Sequence, residues 1–478
     1  MKNLITITVQ ERDFVLLRYL EIMKKTLPQN LIALAEACPY PLYVVGGRVR
    51  DFIAGLSADK PDTDICAPAD ADDFVLRAKS AGFKIDAVFK KTGTVKLSFG
   101  EEDYEFTSFR SDEYIRGTHR PVNTFFTDDI ALDARRRDFK CNAVYYDIKA
   151  AKYADPLGGI GDIEKRILTT VAPSEKVFGE DGLRLMRLAR ISAETGFTPT
   201  AECLEGARRN AELIEDVAPE RIWAELDRIL HADLRYGREY AAINGLSVLR
   251  DAGVLRIILP ELALGDGMPQ RSDIHRYDVL QHSFRTVMYA DKSIRLAALL
   301  HDIGKPYCKI KNGNFYGHET EGARIAEEVC NRLKVPKKTA EKTVKLTALH
   351  MYDLQCNARG SKVRKFIVKN LQFFDGLMLL KQADFSACRD DLSPAPSVVK
   401  MTGILEKMRK EGAPLSLKQL AVRGNELIEA GCPKELTGKA LERLLSDCAA
   451  GQVKNEKDKL ISYAQKQRFF HGDKKQSK

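Results

Sequence analysis

Hydrophobic periodicity changes once along this chain, near Asp162, and that change bounds the architecture. Upstream, apolar residues fall into short β-like runs at Leu42–Val45, Asp62–Ala67, Thr94–Phe99 and Tyr104–Phe109. Downstream, the pattern is helical almost throughout. Within Asp181–Glu194, Leu185, Leu188, Ala189 and Ser192 fall at i, i+3, i+4 and i+7, which predicts a helix with one buried face. Gly265, Gly267 and Pro269 read as a linker before a second helical block, and Pro394 and Pro396 mark another break. No fixed-period repeat appears, and 478 residues exceed what one core accommodates. The expected architecture is an α/β head with a mixed sheet, followed by a long all-α body.

Charge and cysteine usage narrow the setting. A net charge of +9 favours a polyanionic partner, although a solvated basic surface gives the same balance. The ten cysteines are scattered without a CxxC pair, which argues against a disulfide framework and for a reducing cytosol. Met1–Gln10 lacks a signal-peptide core, and no apolar run reaches membrane-span length. A soluble cytoplasmic protein is expected. Arg468–Lys478 is basic, polar and expected to fray.

One cluster in the head carries chemistry. The apolar run Leu42–Val45 enters Gly46 and Gly47, then a helix whose Val49, Phe52, Ile53 and Leu56 share a face. Glycines at a strand-to-helix turn let backbone N–H groups approach phosphate. Asp62 and Asp64 follow; residues two apart on a strand face the same way, so their carboxylates converge. Such a pair repels unless a cation lies between, and Mg²⁺ takes carboxylate and phosphate oxygens together. The alternative is a solvent-facing aspartate pair in a loop.

GGRVRD at Gly46–Asp51 followed by DTD at Asp62–Asp64 resembles the first signature of the class II tRNA nucleotidyltransferases and bacterial poly(A) polymerases. The likeness continues through Arg136-Arg137-Asp138-Phe139 with Asn142, through Asp155–Gly159 with Asp162, through Glu180–Arg184, and through Glu220-Arg221-Ile222 with Glu225. Lys140, Cys141 and Gly182 depart from the family pattern. The resemblance implies that Asp62 and Asp64 hold two Mg²⁺ ions, one at the RNA 3′-hydroxyl and one at the triphosphate. Glu105 is the candidate third carboxylate, and a surface strand residue is the alternative. Gly46, Gly47, Arg50, Arg110, Arg137, Asp138, Asn142 and Arg187 are implied nucleotide contacts. Asp181 and Arg184 take the base-reading role: an acceptor and a donor three apart on a helix suit both cytosine and adenine. An intrahelical ion pair is the bland reading of the same two residues.

A second cluster lies in the later helical block. His282, then His301-Asp302 at the end of an apolar run, and Asp384 resemble the metal set of the HD phosphohydrolase superfamily, with His318 and His350 at positions that bind a second metal in some members. Imidazole with carboxylate suits Mn, Ni, Fe or Mg. A degenerate set is the alternative. Leu415–Tyr463 resembles the tRNA-facing region of HD-containing members.

The expected organisation is therefore a catalytic head over residues 25–160, a helical neck and body over 161–265, an HD domain over 270–393 and a helical tail over 398–465. The expected function is template-independent addition of CCA to tRNA, with tRNA, CTP and ATP as partners, no membrane, and a homodimer left open. A-only addition, C-only addition or poly(A) synthesis are rivals of the same class. Hydrolysis of phosphomonoesters or 2′,3′-cyclic phosphates by the HD domain, with the head as an RNA-binding module, is the rival of a different class.

Overall fold

The structure, a computed structural model, describes residues 23–57, 62–115 and 121–466; the expected fraying of Arg468–Lys478 and the segment Met1–Gln10 lie outside them. Contacts divide the chain into two compact units that meet in sequence between Ala263 and Leu264.

The first unit opens with a mixed seven-stranded sheet in the order β3-β4-β5-β2-β1-β8-β9. Its strands are β1 (Tyr43–Val45), β2 (Thr63–Ala67), β3 (Lys84–Phe89), β4 (Thr94–Phe99), β5 (Glu102–Ser108), β8 (Tyr145–Asp147) and β9 (Lys152–Ala154), and a separate hairpin joins β6 (Arg110–Glu113) to β7 (Asn123–Phe126). β2 and β5 run parallel; every other pairing in the sheet is antiparallel. The four β-like runs of the sequence correspond to β1, β2, β4 and β5, with ends shifted by one to two residues at most. Between β1 and the helix α1 (Gly47–Ile53), Gly46 takes φ 79° and ψ −140°, a conformation open to glycine almost alone. The helix α2 (Ala71–Ser80) covers one face of the sheet, where Phe74 stacks on Phe106 with ring centroids 3.6 Å apart.

The helical continuation begins with α3 (Ile130–Arg135) and α4 (Gly159–Lys165). Asp155 caps α4 by accepting from the Gly159 and Ile160 amides. A Cβ on Gly159 would stand 2.1 Å from the Lys140 carbonyl oxygen, so this glycine is set by backbone approach. Next come α5 (Ser174–Glu180), α6 (Leu183–Thr195), α7 (Pro219–Leu230), α8 (Asp233–Tyr236) and α9 (Ala241–Asp251). The predicted face of α6 is buried at Leu185, Leu188, Ala189 and Ser192. The predicted start at Asp181 is not observed. Asp181 is extended, its carboxylate accepts from the Leu183 amide, and the helix begins at Leu183. A short acceptor side chain competing for a backbone N–H, followed by Gly182, ends one helix and starts the next.

Among its described residues the second unit forms helices and no strand. α10 (Val279–Tyr289), α11 (Arg295–Leu300), α12 (Gly304–Asn312), α13 (His318–Arg332), α14 (Lys337–Leu349) and α15 (Leu371–Arg389) pack together, and α16 (Thr437–Ala449) centres a further core with Leu420, Val422, Leu427 and Leu460. No helix among the described residues is long and apolar enough to cross a membrane. α12 and α13 approach so closely that a Cβ on Gly304 would lie 2.3 Å from the His318 carbonyl oxygen and 2.5 Å from the Gly322 amide nitrogen. Backbone cannot yield as a side-chain tip can. Gly304→Ala is therefore expected to lower stability by about 3 kcal/mol, the upper end of overpacking costs. Gly161→Ala, whose new Cβ meets nothing within 4 Å, is the control that stays near neutral in the same denaturant titration.

Candidate functional site: an acidic cleft in the head and a histidine–aspartate cluster in the second unit

The sheet register assembles the head carboxylates. Val45 stands opposite Asp64 across β1–β2, and Asp64 opposite Glu105 across the parallel β2–β5 pair. Asp62 precedes β2 and is exposed. The Gly46 turn closes on the same place: a Cβ there would stand 3.1 Å from Asp64 Oδ2. Solvent reaches Asp64, yet the cleft is crowded enough that desolvation, then Glu105 and Asp62, push its carboxyl up, against the pull of Arg137 and Arg187. Asp64 and Glu105 stand side by side near the glycine turn, and a divalent cation held there would relieve their repulsion.

A layer of buried ion pairs backs this cleft. Arg50 donates to Asp51 Oδ1 and to Asn142 Oδ1, each at 2.8 Å. Asn142 donates in turn to Asp138 Oδ1 at 3.1 Å, and Asp138 Oδ2 accepts from Arg187 at 2.7 Å. Burial would raise the Asp138 carboxyl; Arg187 and the Asn142 and Phe139 hydrogen bonds overcome it and hold it well below the usual range. Arg50, Asp138 and Asn142 thus form a chain that joins the sheet region to α6. Arg110 donates to Asp112 at 3.1 Å and to the Thr92 carbonyl. Arg137 donates to Asp133 at 3.1 Å and to the Tyr145 hydroxyl at 3.0 Å.

Arg184 departs from the expected geometry. With Asp181 outside the helix, the two do not share a helical face. Arg184 is buried and donates to Glu180 Oε2 at 2.7 Å, Val177 O at 2.9 Å and Arg136 O at 2.8 Å. Its guanidinium also lies over the Tyr114 ring.

Sequence reasoning missed several residues here. Asp133 gathers Arg136, Arg137 and Tyr145 on one fully buried carboxylate; its i, i+3 and i, i+4 spacing to the two arginines was a usable signal. Arg235 on α8 lies 3.5 Å from Asp62 and 3.9 Å from Asp51, and the Tyr236 hydroxyl donates to Asp51. No local pattern announces that contact, since the partners are far apart in sequence.

In the second unit α10, the α11–α12 turn, α13, the end of α14 and α15 bring His282, His301, Asp302, His318, His350 and Asp384 together. Asp302 sits at the centre. Its Oδ2 lies 3.2 Å from His301 Nε2 and 3.6 Å from His282 Nε2, while its Oδ1 lies 3.2 Å from His318 Nε2 and 3.6 Å from His350 Nε2. Asp384 Oδ1 is 3.0 Å from His282 Nε2 and 3.7 Å from His301 Nε2. Nδ1 of His301, His318 and His350 each faces a backbone carbonyl three residues back, at 2.8, 2.8 and 2.7 Å. A carbonyl only accepts, so each Nδ1 carries a hydrogen, and Nε2 is the atom each ring turns toward Asp302. Burial would depress the His301 imidazolium, but Asp302 and Asp384 outweigh it and raise it to about 10. That is the behaviour of a pocket arranged around positive charge, and the donor set fits one or two divalent ions. Lys305 lies 2.6 Å from Asp302 Oδ2 and donates to Gln270 at 2.7 Å.

An acidic cleft on a mixed sheet, backed by arginines and continued into a helical neck, defines a nucleotidyltransferase head; the second unit adds an HD-type cluster. Family models match in the same order: the poly(A) polymerase head domain over residues 42–169, the probable RNA- and SrmB-binding site of polymerase A over 196–264, and the HD domain over 275–371. The A-adding tRNA nucleotidyltransferase of Deinococcus radiodurans is 30% identical over 367 residues, 73% of this chain and 78% of that protein. The multifunctional CCA protein of Acinetobacter baumannii is 30% identical over 65% of this chain and 74% of its own length. The fold is also that of the Bacillus stearothermophilus CCA-adding enzyme solved with CTP, with a TM-score of 0.64 at 22% identity, covering 91% of this chain and 96% of that one. The chain belongs to the tRNA nucleotidyltransferase and poly(A) polymerase family, in its HD-containing branch.

Asp133 gives a pH prediction. Burial alone would raise its carboxyl; Arg136 and Arg137, then the Tyr145 hydroxyl, bring it from 3.8 down to about 2. A depressed folded value means that the stabilisation is complete above about pH 4 and is lost as the pH falls toward 2. Asp133→Asn should cost on the order of 2 kcal/mol at pH 7 and flatten the acid limb of the stability curve between those values. An unchanged acid limb in a urea-denaturation series would refute the assignment.

Proposed function

We propose that this protein adds C, C and A to the 3′ end of tRNA from CTP and ATP, without a template, in the cytoplasm. The observation that carries the reading is the register that sets Asp64 beside Glu105, with Asp62 at the mouth of β2 and the Gly46 turn alongside. Mg²⁺ held by Asp62 and Asp64, with Glu105 as third carboxylate, would neutralise the triphosphate and favour the ionised 3′-hydroxyl. The chain's own residues do the rest. Gly46 and Gly47 bring backbone N–H groups close to phosphate. Arg137 and Arg187 set positive charge beside Asp64, where it would face the reacting phosphate. Arg50, Asp138 and Asn142 support Arg187 and α1 from behind and so fix that geometry. Arg110, on β6, adds a cation beyond β5.

Base choice rests on Asp181 and Arg184. Three donor contacts to Glu180, Val177 and Arg136 hold the Arg184 guanidinium rigid. Asp181 accepts hydrogen bonds beside it. Cytosine and adenine both offer an amine next to an acceptor nitrogen; uracil and guanine offer a carbonyl next to an N–H and leave polar groups unpaired, at about 1–3 kcal/mol each. The 30% identity to an A-adding enzyme favours a second reading, in which A alone is added to a chain already ending in CC.

The HD cluster is proposed as a phosphohydrolase centre for phosphomonoesters or 2′,3′-cyclic phosphates. His282, His301, Asp302 and Asp384 would hold one cation, Asp302, His318 and His350 a second, and Lys305 would meet the anionic phosphate. A divalent ion there, Mn²⁺, Ni²⁺, Fe²⁺ or Mg²⁺, would polarise the phosphoryl group.

On tRNA ending at the discriminator base, CTP alone should give two additions and a stop, and ATP one more; UTP and GTP should be refused. A-addition only after a pre-existing CC would select the second reading, and long A tails with CTP ignored would overturn both. Asp62→Ala or Asp64→Ala should abolish transfer while tRNA binding, carried by basic contacts elsewhere, stays near wild type in a filter-binding assay. Asp181→Ala with Arg184→Ala should flatten the choice among nucleotides. His301→Ala with Asp302→Ala should remove hydrolysis of 2′,3′-cyclic nucleotides and spare CCA addition.

A further inference from the structure

Beside the HD cluster stands a second group of ligand-type side chains, of which the hydrolytic reading uses only His282. His275, His282 and Cys388 each offer a ligand atom, and these atoms all lie within 4.8 Å of one another. His275 precedes α10, and Cys388 falls one helical turn after Asp384 on α15. The two segments are pinned by the Arg276 amide, which donates to the Cys388 carbonyl oxygen at 2.9 Å.

We propose that His275, His282 and Cys388 form a separate binding site for a thiophilic divalent transition ion, Zn²⁺ in the first place, sharing the His282 imidazole with the HD centre. The distances suit it. Zn–N bonds of about 2.0–2.1 Å and a Zn–S bond of about 2.3 Å at a tetrahedral angle place nitrogen and sulfur roughly 3.6 Å apart. Cys388 Sγ lies 3.6 Å from His275 Nδ1. His282 turns its Nε2 to Asp384 and Asp302, and its Nδ1 is buried with no hydrogen-bond partner among the described residues. A buried, unpartnered ring nitrogen beside an imidazole and a thiol lacks either an acceptor for its N–H or a cation for its lone pair.

The chemistry differs from that of the HD centre. Thiolate with imidazole selects Zn²⁺ or Co²⁺ over Mg²⁺, whereas the HD set has no sulfur. An ion bound by the Cys388 sulfur displaces the thiol proton to solvent. The shared imidazole gives up its Nδ1 proton to solvent when both of its nitrogens are ligated. Lys305 repels a cation here, and Asp302 and Asp384 attract one. His275 and Cys388 are both partly exposed, which leaves an entry path and a fourth position open to water. A plain Sγ–H to Nδ1 hydrogen bond would satisfy the same distance without any ion, and the test separates the two.

Co²⁺ is the probe, added to the full-length chain, with bound metal counted and the thiolate-to-cobalt charge-transfer band read in the near ultraviolet. The wild type should show the band and bind one more ion than Cys388→Ser, which should lose it. His275→Ala should weaken the band-forming site roughly tenfold or more. His301→Ala, which damages only the HD centre, should keep the band, and so should Cys356→Ser at another partly exposed cysteine. Matching circular dichroism melts guard against misfolded variants. No band in the wild type, or a band that survives Cys388→Ser, overturns the site.

Discussion

The parallel pairing of β2 with β5 is the constraint on which the head depends. In a sheet otherwise antiparallel, this pairing alone sets Asp64 directly against Glu105. Like charges so placed destabilise a sheet. The head tolerates them because the neighbouring groups are cationic and lie behind rather than between: Arg137 on Asp133, and Arg187 on Asp138. The cleft is thus negative at its mouth and positive in its wall. A triphosphate with its cation has that polarity in reverse, which is why the site reads as a cradle for both together.

Asp302 plays a comparable part in the second unit. Each of its two oxygens faces a different pair of imidazoles. One buried carboxylate therefore decides whether the histidines form one group or two. The Nδ1 contacts to carbonyl oxygens fix ring tilt and tautomer through helix geometry, without help from other side chains.

Much of this was legible in the sequence because it was local. Short β-like runs marked β1, β2, β4 and β5; the GGRVRD and DTD spacing marked the turn and its candidate carboxylates; the HD pair marked the second cluster. What stayed hidden was decided by competition or by distance. Asp181 read as helical because the apolar period runs through it, but its carboxylate takes the Leu183 amide and ends the helix. Arg50 and Asp138 also take partners that no local pattern announces, Arg50 with Asn142 and Asp138 with Arg187. Arg235 and Tyr236 carry no motif at all, and only the fold brings them to Asp51 and Asp62. Periodicity reports which face is buried; it does not report which polar partner wins.

The contact of α12 with α13 through Gly304 and Gly322 is one of backbone with backbone. Asp302 lies just before one of these helices, and His318 opens the other. Their separation is thus a property of the main chain, like the spacing of posts in a frame. Such a frame keeps its openings whether or not anything hangs in them. A ligand exchanged on such a frame leaves its neighbours where the main chain holds them.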